Sequence, residues 1–300
     1  GDAETGMALV AKNTSQGMGH GHFDKLNWLL YDQGDELVTD YGAARFLNIE
    51  AKDGGRYLPE NETWAKQSIA HNVLVVDGRS HFDGDADRAE QTAPTQLHYA
   101  AADGFSVSIG RMTGAYPGVT MTRSLALVNV PGIARPVAVD LLRVTADAPH
   151  RYDLPLHFNG HVTRVGGPLD GKVTVRPVLG DAHGYQHVWV DAEGALPRDK
   201  AFLTWMTGDH FATWRWVPQP GARVVLGEQG ERIQKLEPEV KWTEEKLQEL
   251  GPGAEVEQSA RAYERVARAG LDGDAAHLDP DGLVAALCRP DRRPWLDLDA

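Results

Sequence analysis

One cysteine in 300 residues, Cys288, leaves no internal disulfide framework, and it speaks neither for nor against an exported location. No apolar run approaches the roughly 20 residues that a membrane span needs. Positive charge is scarce: 30 Lys and Arg stand against 43 Asp and Glu, a formal net charge of −13. That balance argues against a general polyanion-binding surface and against nucleic acid as a partner. About half of the net negative charge lies beyond Glu228, however, so a local cationic cleft elsewhere stays open. An initiator Met is missing too. The chain starts at Gly1, just ahead of the strand-like GMALVAK, as expected of a processed chain or a fragment. What is present is 42% hydrophobic, enough to exclude overall disorder and to build one large β domain or two smaller ones.

Up to Leu226 the chain reads as successive short strands broken by Gly, Asp, Asn and Pro. KLNWLLYD, DELVTD, HNVLVVDG, TQLHYAA, FSVSIGRM, VTMTRSLALVNV, PVAVDLLRVT, YDLPLHF, KVTVRPV, YQHVWVDA, AFLTWM and FATWRWV follow one another. Many alternate apolar with polar residues or are rich in Val, Thr, Trp and Tyr, as half-buried strands are. No helix-period segment of convincing length interrupts them, and no internal repeat is visible. The expectation is an all-β domain over residues 1–226, an antiparallel multi-sheet sandwich. Trp189, Trp205, Trp214 and Trp216 fall in strands and are expected in its core.

Residues 227–300 differ. TEEKLQEL, with Thr243 as a candidate N-cap, SARAYERVARAG ending at Gly270, and DPDGLVAALCRP before Pro290 suggest short helices. Two readings stand for this tail: a divergent helical or disordered C-terminus, or a shifted reading frame.

The densest chemistry lies between Gly17 and Asn72. His20, His22 and His71, the acids Asp24 and Asp40, and Tyr57 on a glycine-flanked loop fall within it. Were His20 and His22 in a strand, their two-residue spacing would turn both to one face. Imidazole and carboxylate together suit zinc. His22-Phe23-Asp24 with a distant His71 would equally form a 2-His-1-carboxylate set for Fe(II), and three hydrogen-bonded core histidines are the plain alternative. Tyr57 follows Gly54, Gly55 and Arg56, and Arg45, Lys52 and Lys66 are near in sequence. A tyrosine can act as acid or base where nearby cations lower its pKa. Asp24 is expected in a supporting or turn position, Asn72 bonded to backbone near His71, and His81, His183 and His187 in structural roles.

GHGHFDKL, VTDYGAARFLNIE, GGRYLPENETWAKQ and IAHNVLVVDG stand in this order. Together they resemble the C-terminal half of heparinase II/III-like polysaccharide lyases, and within these the oligoalginate lyases of polysaccharide lyase family 17. The likeness runs from residue 1 to about 216; the tail does not share it. The resemblance implies an exo-acting lyase that cleaves 4-O-linked uronate oligosaccharides by β-elimination. It implies a structural zinc on His22, Asp40 and His71, and Tyr57 and His20 as catalytic residues facing the substrate. Arg45 is the candidate partner of a substrate carboxylate, since Arg binds such groups bidentately. The substrate would be an acidic oligosaccharide and the location periplasmic or secreted. Such lyases set their active site between an N-terminal (α/α) toroid and the β domain; no toroid is read in these residues, so half the site would be missing and the chain alone is expected to turn over little or no substrate. A glycosaminoglycan lyase of heparin or heparan type, and a non-catalytic zinc-containing carbohydrate-binding or scaffold domain, are the alternatives.

Overall fold

The computed structural model describes residues 6–15, 20–40, 59–169, 178–197, 199 and 201–229. Arg45, Lys52, Arg56, Tyr57, most of the strand expected at KVTVRPV, and everything from residue 230, including the expected tail helices and Cys288, lie outside them. The chain divides into a unit Gly1–Gly230 and a unit Glu231–Ala300, and every element below belongs to the first.

The first sheet is a three-stranded meander of β1 (Met7–Lys12), β2 (Asn27–Asp32) and β3 (Asp35–Val38). The β2–β3 hairpin turns at Gln33 and Gly34, both at positive φ. Next come a short helical turn at Asn61–Ala65, a 3-10 turn at Ser68–Ala70, and the two-residue strand β4 (Val75–Val76). The six-residue helix α1 (Ala86–Gln91) is capped by Asp85, whose side chain accepts from the Arg88 amide.

A four-stranded antiparallel sheet follows in chain order: β5 (Thr95–Ala102), β6 (Phe105–Tyr116), β7 (Val119–Val128) and β8 (Val137–Ala146). β9 (Tyr152–Asp153) returns to pair with β4. β10 (His161–Val165), β12 (Phe202–Thr207) and β13 (His210–Arg215) form another three-stranded sheet. β11 (Val188–Ala195) pairs with β14 (Arg223–Gln229). Every ladder is antiparallel, as the alternation predicts.

The sheets pack through the apolar sides of these alternations. Trp28, Leu30, Leu37 and Val38 from the first meander meet Leu125 of β7 and Leu203 and Trp205 of β12 in one core. Trp205 is inside it, with Trp214 and Trp216 packed against it. A second core sets Phe23 and Leu26 against Met112, Met121 and Val119 of the four-stranded sheet.

Two expected strands are mostly something else. Of HNVLVVDG only Val75–Val76 pairs as strand, because His71 and Asn72 sit in a turn whose backbone and side chains bond elsewhere. Of YDLPLHF only Tyr152–Asp153 pairs; Pro155 has no amide to donate, and the His157 amide donates to the Asn72 side chain instead (2.7 Å). No helix among the described residues is long and apolar enough to cross a membrane.

Candidate functional site

Two irregular segments, 20–26 and 65–74, meet under the sheets and bring the candidate residues together. Residues 20–24 form no strand, so strand geometry does not set the facing of the two histidines: His20 is exposed, whereas His22 is half-buried. His71 is fully buried. The His22 and His71 rings lie 5.0 Å apart at a tilt of 41°. Ligand atoms of His22, Asp24 and His71 all fall within 4.8 Å of one another. Asp40, just past β3, reaches the same place: its Oδ1 is 2.5 Å from His71 Nδ1. His22, Asp24, Asp40 and His71 thus converge, whereas exposed His20 is not among them, and the carboxylate count is two, because Asp24 joins the cluster as well as Asp40.

The electrostatics follow from burial and crowding. Burial, followed by the charge of His71, lowers His22 to about 4, so its imidazole is neutral near neutral pH and offers a lone pair. His71 is pushed down by burial, but the Asp40 carboxylate, by charge and hydrogen bond, outweighs this and raises it. Burial works to raise Asp40, yet the charge of His71 and the hydrogen bond to it hold the carboxyl well below the usual range. His71 Nε2 donates to the Ala65 carbonyl at 3.0 Å, leaving Nδ1 to face Asp40. Asp24 is paired with Lys12 of β1. Two imidazoles and two carboxylates crowded together, with His71 and Asp24 buried and His22 and Asp40 half-buried, are a donor set that fits a divalent cation such as Zn²⁺.

The segments that carry this cluster are fastened from several sides. Phe23 N donates to the Lys66 carbonyl (2.9 Å), and Ser68 Oγ donates to the Phe23 carbonyl. Lys25 is buried; its Nζ donates to the carbonyls of Ala89 (2.9 Å) and Thr14 (3.3 Å), and burial lowers its pKa to about 8. Asn72 Nδ2 donates to the carbonyls of Thr39 (2.7 Å) and Trp28 (3.1 Å), tying His71 to the strand ends beside Asp40. This is the backbone-bonding role expected of Asn72. Arg123 of β7 donates from Nη1 to the carbonyls of Leu26 and Asn72, one from each segment, while Nε and Nη2 clasp Asp140 at 2.8 and 2.6 Å.

The other histidines do structural work. His81 Nδ1 accepts from the Lys25 amide and its Nε2 donates to the Leu74 carbonyl, and burial depresses it to about 4. His187 contacts Thr63, and His183 lies 3.5 Å from Asp83. Of the cations expected around Tyr57, Lys66 is described, and it pairs with Glu62 at 2.5 Å.

Lys12, Arg123 and His157 were not singled out in the sequence. Arg123 left a signal: in VTMTRSLALV it occupies the inward register of Val119, Met121 and Leu125, where a cation must find buried partners. Lys12 and His157 left none.

Residues 2–269 match the family model described as heparinase II/III-like, C-terminal. An alginate lyase of Stenotrophomonas maltophilia is 50% identical over 229 residues, 76% of this chain and 31% of its own length. An exo-oligoalginate lyase of Saccharophagus degradans is 48% identical over 233 residues, 77% of this chain and 32% of its own. The chain therefore spans about a third of the length of these curated relatives. A solved heparinase III covers 74% of this chain and 30% of its own at 13% identity, with a TM-score of 0.39.

Proposed function

The chain belongs to the heparinase II/III-like C-terminal family, and from that membership we propose that it is the β-sheet part of an exo-acting oligoalginate lyase. The observation that carries this reading is the near-50% identity, over about three quarters of the chain, to two relatives named as alginate lyases. The matched stretch is about a third of each relative's length, and the site is proposed to be completed by a helical toroid outside that stretch. A periplasmic or secreted location is part of the same proposal.

The reaction is β-elimination at a 4-O-linked uronate. A base takes the proton from C5, the C–H electron pair becomes the C4–C5 double bond, and the C4–O4 bond breaks as O4 gains a proton. Arg45 is proposed to neutralise the uronate carboxylate, which makes the C5 proton acidic. Tyr57 is proposed to move the proton, and His20, the exposed histidine of the pair, to face the substrate.

A zinc ion is proposed at His22 and His71 with Asp40, where it would cross-link the two irregular segments. It supplies structure, and no chemical step passes through it. Asp24, crowded into the same cluster, holds Lys12 beside it. The reading is tested by mixing parent-length protein with alginate oligomers and following the ultraviolet absorbance of the new double bond, with heparin-type oligomers as comparison. Absorbance rising with alginate alone supports it, and rising only with heparin-type oligomers replaces it.

A further inference from the structure

β10, β12 and β13 read HVTRV, FLTWMT and HFATWR. In a chain of 43 Asp and Glu none falls in these strands, while Arg164, Arg215, His161 and His210 do. The alternation divides the sheet cleanly. Leu203 and Trp205 turn into the core, so Phe202, Thr204 and Met206 turn to the opposite face. Register sets Arg215 beside Phe202, Thr213 beside Thr204 and Phe211 beside Met206. A bulge between Val162 and Arg164 brings Arg164 opposite Thr204 on that same face. Phe211 is 56% exposed, and both arginines are exposed.

The two guanidiniums share one ring: Arg164 lies 5.4 Å and Arg215 5.3 Å from the Phe202 centroid. Neither has an acidic partner among the described residues. The ring positions the guanidinium planes without occupying their in-plane N–H donors, which are the donors that grip carboxylates in pairs. An arginine pair held in place, lacking acids, on a protein of net charge −13 is complementary to an anion. Phe211 beside Met206 offers an apolar platform next to it for the C–H face of a sugar ring.

We propose that this face is a second, non-catalytic binding surface for acidic oligosaccharide, with Arg164 and Arg215 pairing with carboxylates of one uronate chain. None of the three strands supplies a residue of the His22–His71 cluster, so the surface would hold an oligosaccharide chain independently of that cluster. The choice of a uronate chain rests on the lyase reading above; the demand for an anion does not.

The experiment measures affinity of the 300-residue chain for alginate oligomers, heparin-type oligomers and neutral dextran, with R164Q/R215Q and R164K/R215K beside it. Wild type is expected to bind alginate in a salt-dependent way and to ignore dextran. R164Q/R215Q should weaken binding by about ten-fold or more with an unchanged unfolding midpoint. R164K/R215K should recover only part, since lysine keeps the charge and loses the fork. Equal alginate binding by wild type and R164Q/R215Q, no binding by wild type, or equal binding of dextran would each overturn the proposal. Elimination by parent-length protein on short oligomers is read separately. Arginine-dependent binding without elimination sinks the lyase reading and leaves the surface, and elimination with arginine-independent binding does the reverse.

Discussion

A buried arginine holds together the two segments that carry the candidate site. Arg123 donates to the carbonyls of Leu26 and Asn72 and clasps Asp140, with Arg123 and Asp140 side chains 3% and 6% exposed. Arg123→Met removes one partner of a buried pair and leaves the Asp140 charge uncompensated. It is expected to destabilise the fold by about 3–5 kcal/mol in denaturant unfolding, and the double change with Asp140→Leu to regain a good part of that loss. At the cluster, His22→Ala and His71→Ala should each abolish the one equivalent of zinc expected by elemental analysis; zinc retained in full by both would remove the metal proposal. The site was legible in the sequence as far as its residue types and their order. Asp40 was readable only through the family resemblance, and Asp24's place beside it was not, because the two arrive from a strand end and a loop whose paths are set by the tertiary clamps of Asn72, Ser68 and Arg123.

Among elements, strands with clean alternation were legible, and those whose backbone bonds to side chains were not. VTMTRSLALV and PVAVDLLRVT fold as read because one face is buried and the other is not, which fixes register. HNVLVVDG is an apolar run without alternation, and its residues are buried through Val76, so periodicity could not separate strand from buried turn. The turn into β10 shows what such joints demand. Gly160 has φ +104, and a Cβ there would overlap the Met206 carbonyl oxygen of the neighbouring strand β12. Gly160→Ala is therefore expected to lower stability by roughly 1–3 kcal/mol in denaturant unfolding, whereas Gly132→Ala, at similar φ but with open space, should cost less.

At the scale of the molecule, buried histidines set a pH limit. Burial lowers His81 and His157 to about 4, against an ordinary value of 6.5. Between those values the unfolded chain binds protons that the folded one does not. The stability these groups contribute is fully present above about 6.5 and is lost as pH falls to about 4, on the order of 3 kcal/mol for each. The raised His71 works in the opposite direction. Thermal unfolding should fall steeply across this window, and His81→Gln should flatten the slope; an unchanged slope would contradict the assignment. The layered all-β fold that holds these groups was readable from alternation alone, and the proposed activity was readable only through four motifs whose order resembles a known family. The most direct test of that activity is elimination by parent-length protein on alginate oligomers, wild type against Tyr57→Phe, followed through the new C4–C5 double bond. The account predicts a steady rise for wild type and a loss of about 100-fold or more for the variant. A folded wild-type protein that produces no double bond, or a variant that matches wild type, would contradict it.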